Sequence, residues 1–279
     1  MLVIGCGYVG QPLAERLAAA GHDVFALSRN PPQLRGNIRA VACDITQPGD
    51  LKRVGGEFDV VINTVSSSKG GVEEYRSVYL EGTRNLLAHL EFGNYIWTSS
   101  TSVYAQTDGS VVTEESHAEP SSPTGRVLRE TEELVLAKGH GTVLRLAGIY
   151  GPDRGHLFQQ YLRGEARIHG EGARWLNMVH RDDAVGAIVA AVNKSRVGEI
   201  YNVADNDPAA ERVFFAWLAE QLKRDLPPAV ADSELAGRKR GVTNKRVSNR
   251  KLREQLGYEL IYPTFREGYR SEMRRLGLC

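Results

Sequence analysis

Cysteine is scarce in this 279-residue chain. Only Cys6, Cys43 and Cys279 occur, and no pair has zinc-ligand or redox spacing, which excludes a disulfide framework and a structural metal as organising devices. The reading that follows is a protein of the reducing cytoplasm with no metal site. An excess of one charge is also lacking: 35 Lys plus Arg face 34 Asp plus Glu, for a net charge of +1. That balance gives no reason to expect nucleic acid or a membrane surface as partner. No apolar run approaches the roughly 18 residues that would span a bilayer. The first residues offer no charged segment and no cleavage site of a secretory signal. Met1 to Gly5 reads directly as a buried strand, short enough to leave room for residues upstream of this numbering. With 42% hydrophobic and 25% charged residues, the chain reads as soluble and globular, one large domain or one with a smaller partner.

What is present is an alternation. The β-branched run Leu2-Val3-Ile4 precedes a helical pattern from Val9 to Ala20, and strands are predicted at Asp23 to Leu27 and Phe58 to Ile62. A helix from about Val72 to Leu90 leads to the strand Tyr95 to Thr98. A further helix around Leu128 to Ala137 leads to the strand Thr142 to Leu146. Strands buried on both faces and separated by helices imply a parallel sheet of βαβ units, hence a doubly wound α/β (Rossmann) architecture. Past Pro152 the rhythm breaks, and Pro227-Pro228 followed by Arg238-Lys239-Arg240 reads as irregular and exposed. We therefore expect a Rossmann domain over 1–152, to which 178–204 returns, and a smaller C-terminal substrate lobe over 153–279.

Gly5-Cys6-Gly7-Tyr8-Val9-Gly10 spells G-x-G-x-x-G between a strand and a helix. The first glycine permits the tight turn, the second lets backbone approach a pyrophosphate, and the third lets helix and strand pack closely. The helix N-terminus adds amide donors and a partial positive charge. About 20 residues on, an acid would bond a ribose 2′-hydroxyl, but the second strand ends Leu27-Ser28-Arg29-Asn30. Arg29 can pair with a 2′-phosphate through its fork of donors, which favours NADP over NAD; a lone, solvated surface Arg is the alternative. Asp44-Ile45 after the third strand either caps an adenine or forms an ordinary turn.

The ordered succession of this loop, Asp44, Asn63-Thr64-Val65, Gly82 to Leu87 and Ser99-Ser100-Thr101-Ser102-Val103-Tyr104 resembles the NAD-dependent epimerase/dehydratase family of extended short-chain dehydrogenases/reductases. Glu114-Glu115, Pro120 and Pro123, Leu144-Arg145, Gly148 to Pro152, His180 with Asp182-Asp183, and Tyr201-Asn202-Val203 extend the likeness to about residue 205, and more faintly to Gly268. The loop spelling is also similar to UDP-sugar 6-dehydrogenases, but their later cysteine segment has no counterpart here. The resemblance implies that Gly5, Gly7, Tyr8, Val9, Gly10, Ser28, Arg29, Asp44, Ile45, Thr64 and Val65 hold the cofactor. It further implies a small-molecule substrate, of nucleotide-sugar type, near Ser66, Tyr150 and His180, and leaves a homodimer open.

That family's chemistry uses a Tyr whose phenol, ordinarily near pKa 10, is lowered by a Lys four residues on, so that it exchanges a proton while nicotinamide exchanges hydride. Aligning Pro123 and Gly125 with the family's P-Y-G-x-x-K segment puts Thr124 in the Tyr place and Leu128 in the Lys place. The pair is absent on this alignment, as in an atypical subgroup with a similar G-R-x-L-R segment, here Gly125 to Arg129. Ser100 matches the substrate-polarising hydroxyl; a strand-end Ser bonded to backbone is its structural alternative. Candidate catalytic residues are accordingly Ser100, Thr124 and Tyr104, with Tyr150, His156 and His180 as further proton-transfer candidates and Asp182-Asp183 available to orient a histidine. Asp182 reads more readily as a helix N-cap. Two functions follow: an NAD(P)-dependent oxidoreductase or epimerase with a substituted acid/base, or a dinucleotide-binding sensor without turnover.

Overall fold

The computed structural model describes residues 1–67, 70–137, 139, 141–231 and 243–278; Arg238-Lys239-Arg240 and Cys279 lie outside these described residues. Seven strands form one parallel sheet: β1 (Leu2–Ile4), β2 (Val24–Ser28), β3 (Ile38–Ala42), β4 (Glu57–Asn63), β5 (Glu91–Ser100), β6 (Gly141–Leu146) and, farther along the chain, β9 (Ile200–Val203). Their spatial order is β9-β6-β5-β4-β1-β2-β3. Leu2, Val3 and Ile4 are fully buried because β1 is central, with helices covering both faces, which is why its sequence is continuously apolar. Strand order reverses beside β1, so the crevice at its C-terminal end, between the turns after β1 and β4, is where such a sheet receives ligands.

Helix α1 (Gly10–Ala19) buries Gly10, Leu13, Ala14 and Leu17, the 3.6-residue stripe that faces the sheet. Helix α2 (Pro48–Val54) follows β3. The long helix predicted over 72–90 is not uniform: a turn at Val72–Tyr75 passes through a wider, π-type turn at Arg76–Glu81 into α3 (Gly82–His89). Helix α4 (Pro123–Ala137) begins five residues before the predicted start. Ser122 supplies the reason, its hydroxyl accepting from the Gly125 N–H at 3.1 Å, while Pro123 takes the first helical position, where its missing donor costs nothing.

Two hydrophobic cores result. The larger surrounds the sheet and includes Val179, Ala184, Ile188, Tyr201 and, from the C-terminal region, Val247, Leu252 and Leu256. The last two belong to α8 (Arg250–Leu256). A second, aromatic core joins Tyr150, Phe158, Tyr161, Phe214, Phe215, Phe265 and Tyr269. It gathers β7 (Gly148–Tyr150), α5 (His156–Leu162), α7 (Glu211–Leu222) and α9 (Phe265–Arg275). Between the cores, β7 pairs in parallel with β8 (Met178–His180), which runs straight into α6 (Arg181–Lys194). No helix among the described residues is long and apolar enough to cross a membrane.

Candidate functional site

Two cavities open at the C-terminal ends of the strands. The first, of about 580 Å³, is lined by the turn after β1, the end of β2, the turn after β3 and the turn after β4. Gly5 turns the chain at φ +90°, and a Cβ there would lie 2.7 Å from the Val65 nitrogen. At Gly10 a Cβ would come within 1.9 Å of the Gly5 carbonyl oxygen and 2.6 Å of Thr64 Oγ1. Thr64 closes this junction by donating its hydroxyl to the Gly5 oxygen at 2.8 Å, while its own N–H bonds the Ile4 oxygen. Gly7 by contrast meets nothing within 4 Å, so the backbone there faces open space. A wall of main chain without side chains, ahead of a helix N-terminus that has no side-chain cap, suits the pyrophosphate of a dinucleotide.

Every residue expected to hold the cofactor, apart from Gly10, lines this cavity: Gly5, Gly7, Tyr8, Val9, Ser28, Arg29, Asp44, Ile45, Thr64 and Val65. Gly10 lies directly beneath, as the packing glycine. Arg29 is exposed at the rim, and the Ser28 hydroxyl donates to the Asn30 oxygen. Asp44 is a turn residue as well as a lining one, its Oδ1 accepting from the Thr46 N–H at 2.9 Å and hydroxyl at 2.8 Å. Ser66, expected to meet substrate, lies in this first cavity. Cys6 and Cys43 also line it, and burial pushes both thiols up to about 11. The ring of Tyr8 sits between the guanidinium groups of Arg154 and Arg181, 4.9 and 5.3 Å from its centre.

The second cavity, of about 1000 Å³, runs from the end of β5 past β7 and α5 to the segment 243–245. Ser100, Ala147, Gly148, Ile149 and Arg154 line both. Ser100 Oγ accepts from the Ser102 N–H at 3.2 Å, which leaves its O–H free to donate. Tyr150 and His156 are also lining residues. Tyr150 stacks on Tyr269 at 4.3 Å, its hydroxyl is buried without a partner among the described residues, and burial raises its pKa far above the ordinary phenol range. Among the described residues, Arg154, Arg163, Arg174 and Lys245 give the cavity four cationic side chains against one carboxylate, Asp153. Arg174 is held by Glu211 at 2.8 Å, and Asp153 by Arg275 at 2.9 Å.

Other candidates lie elsewhere. Tyr104 is wholly buried and lines neither cavity. Its hydroxyl donates to Asn202 Oδ1 at 2.9 Å and accepts from Arg145 at 2.8 Å. Arg145 in turn makes a two-pronged ion pair with Glu132 at 2.9 and 2.6 Å, and Ser99 donates to the same carboxylate. This network joins β5, α4, β6 and β9 behind the cavities, so Tyr104 is a structural residue. Thr124, in the first turn of α4, and the buried Leu128 also fall outside both linings. His180, 2% exposed, is not a lining residue either. It, rather than Asp182, caps α6: its Nδ1 accepts the Asp182 N–H at 3.2 Å. Burial lowers His180 to about 4, so the ring is neutral with its proton on Nε2. Asp183 orients no histidine; it accepts from the Tyr258 hydroxyl and the Ile261 and Tyr262 N–H groups.

Sequence reasoning missed Arg154, Arg163, Arg174 and Lys245. Each stands in a segment that reads as polar loop or helix surface, and only the fold turns them into one cavity.

The chain is 30% identical to Protein YeeZ of Escherichia coli (strain K12), over 94% of this chain and 95% of that protein. It is 28% identical to the 3-diazoavenalumate denitrifying reductase of a Streptomyces species, over 98% and 99%. A solved structure from Methylobacillus flagellatus, of a protein assigned to the NAD-dependent epimerases/dehydratases, superposes with a TM-score of 0.78 at 30% identity, covering 99% of this chain and 98% of that one. The family model for NAD-dependent epimerases/dehydratases matches residues 1–204, the stretch that builds the sheet, the glycine turn and the shared wall of both cavities, and the chain belongs to that family.

Proposed function

We propose that the chain binds a dinucleotide in the first cavity, NADP in preference to NAD, and that the second cavity, in a smaller lobe, receives a small anionic substrate of nucleotide-sugar type. One observation carries this reading: Ser100, Ala147, Gly148, Ile149 and Arg154 line both cavities, so ligands in the two would meet at one wall. A bound nicotinamide supplies hydride exchange. The protein's part is to hold and orient. Gly5, Gly7 and the start of α1 would cradle the pyrophosphate, Ser28 and Arg29 the 2′-phosphate, and Asp44 and Ile45 the adenine. Ser100, with its free O–H, would polarise a substrate oxygen, and the cationic lining of the second cavity supports an anionic substrate. The whole-length likeness to a reductase supports oxidoreduction.

Thr124 and Leu128 stand where the family's Tyr and Lys are expected on our alignment, and neither lines a cavity. The standard phenol acid/base is therefore missing from this reading. Since a positioned acid/base contributes roughly 10²–10⁴ in rate, generic nucleotide-sugar epimerase or ketoreductase turnover is expected to be slow or absent. The same observation favours a second reading, dinucleotide binding without turnover. Fluorescence titration of NADPH and NADH, with a screen of UDP- and dTDP-sugars against wild type and Thr124→Tyr/Leu128→Lys, separates the two. Tighter NADPH binding, with turnover raised in the double variant, supports the enzyme. Equal affinities refute the NADP preference. Wild-type turnover at ordinary rates, about 1–10³ per second, shows that another group transfers the proton.

A further inference from the structure

Lys245 is 5% exposed, lines the second cavity, and has no carboxylate partner among the described residues. Its ammonium donates to the Tyr104 carbonyl at 3.0 Å and to Thr243 Oγ1 at 2.9 Å. An ammonium has three donors, so one is left over. The segment that carries Lys245 is fixed. Its backbone is clamped by Asn177, which donates to the Lys245 oxygen at 2.9 Å and accepts from the Val247 N–H at 2.7 Å.

Elsewhere the protein treats buried cations differently. Buried Arg145 is matched by Glu132, and even the half-buried Arg174 by Glu211. A buried charge without a partner is costly, and here the exception faces a cavity rather than packed core. The carbonyl that Lys245 bonds ends the short turn beginning at Ser100, and Ser100, Thr101 and Ser102 line the same cavity. Hydroxyl donors and the Lys245 ammonium therefore line the same cavity.

We propose that Lys245 is the counter-charge for a carboxylate carried by the substrate, which would dock in the second cavity beside the Ser100–Ser102 turn. This deepens the functional reading above and rests on its placing substrate in that cavity. One ammonium with one remaining donor matches a monoanion. A diphosphate would bring more charge than the one remaining Lys245 donor can meet, and the other cations of the cavity, Arg154, Arg163 and Arg174, come from other segments. Burial lowers the Lys245 ammonium to about 8, so it stays mostly charged at neutral pH and is available to pair.

The test uses the full-length protein and needs no variant for its first arm. Modification of Lys245 by formaldehyde and borane, read by peptide mass spectrometry, is compared at equal ionic strength in chloride, acetate, glucuronate and inorganic phosphate. Acetate and glucuronate are expected to slow modification of Lys245 several-fold relative to chloride, with phosphate resembling chloride. In the second arm, Lys245→Met should weaken glucuronate binding about ten- to a hundredfold, the value of one charge-assisted hydrogen bond, while NADPH binding by fluorescence is unchanged. Equal modification in chloride and carboxylate overturns the proposal, as does protection by phosphate alone. Carboxylate protection in a protein that fails to bind NADPH upholds Lys245 and defeats the dinucleotide reading.

Discussion

The two cavities share a wall but are built from opposite materials. The first is made of main chain: a left-handed glycine, a glycine with no room for a Cβ, and a threonine that stitches two turns together. The second is made of long side chains, Arg154, Arg163, Arg174 and Lys245, brought in from separate segments. Backbone geometry tolerates few residue types, whereas a charged side chain can be presented from many positions. On the proposed reading, the first cavity serves a ligand class common to the family, and the second is where its members diverge in substrate.

The comparison fails if the two cavities cannot be perturbed separately, and the largest effect should come from the network behind both. Glu132→Ala leaves Arg145 buried and unpaired, which should cost about 3–5 kcal/mol; a denaturation midpoint indistinguishable from wild type would remove this network from any structural role. Next is pH. Because His180 is lowered to about 4 in the fold from an unfolded value near 6.5, its contribution is complete above pH ~6.5 and is lost as pH falls toward 4, at most about 3 kcal/mol. His180→Asn keeps a cap acceptor but does not titrate, so the variant should lack that part of the acid limb. Burial raises Asp183 and Asp205, and these carboxyls act in the opposite direction in both proteins, so the difference between the two curves isolates His180.

Gly10→Ala sharpens the contrast directly. Its methyl would meet the Gly5 oxygen, an overpacking cost of about 1–3 kcal/mol. NADPH binding should be lost while glucuronate still protects Lys245; loss of both would show the cavities to be one cooperative unit. The smallest effect is expected at the exposed rim. Arg29→Ala should weaken NADPH about tenfold, roughly 1.4 kcal/mol, and leave NADH unchanged in the same titration.

Legibility followed the same division. Leu2 to Gly10 could be read as strand, turn and helix start because the glycine spelling lies in one short stretch between a strand and a helix, although only Gly10 is crowded from within it, by the Gly5 oxygen, while Gly5 is crowded by Val65. The start of α4 is also written locally, in Ser122-Pro123, but the apolar spacing that marks the helix begins only near Leu128. The cap of α6 went to His180 because β8 delivers it with an extended backbone, something Asp182 does not reveal locally. Tyr104 looked like a motif tyrosine at a strand end, yet its environment is set by Arg145 and Asn202, 41 and 98 residues away. Lys245 sits in Thr243-Asn244-Lys245-Arg246, which reads as solvated surface; its burial depends on Tyr104 and Asn177, 141 and 68 residues distant. Long-range partners leave no local pattern to find.

The Gly5–Thr64–Gly10 junction has a consequence for how tightly a ligand can be held. With the Gly5 oxygen against Gly10 and the Thr64 hydroxyl bonded across it, the turn has little space in which to rearrange. Its conformational entropy is surrendered when the chain folds, not when a ligand arrives. A phosphate-bearing molecule entering the first cavity meets a preorganised socket, and more of its contact energy is left to appear as affinity.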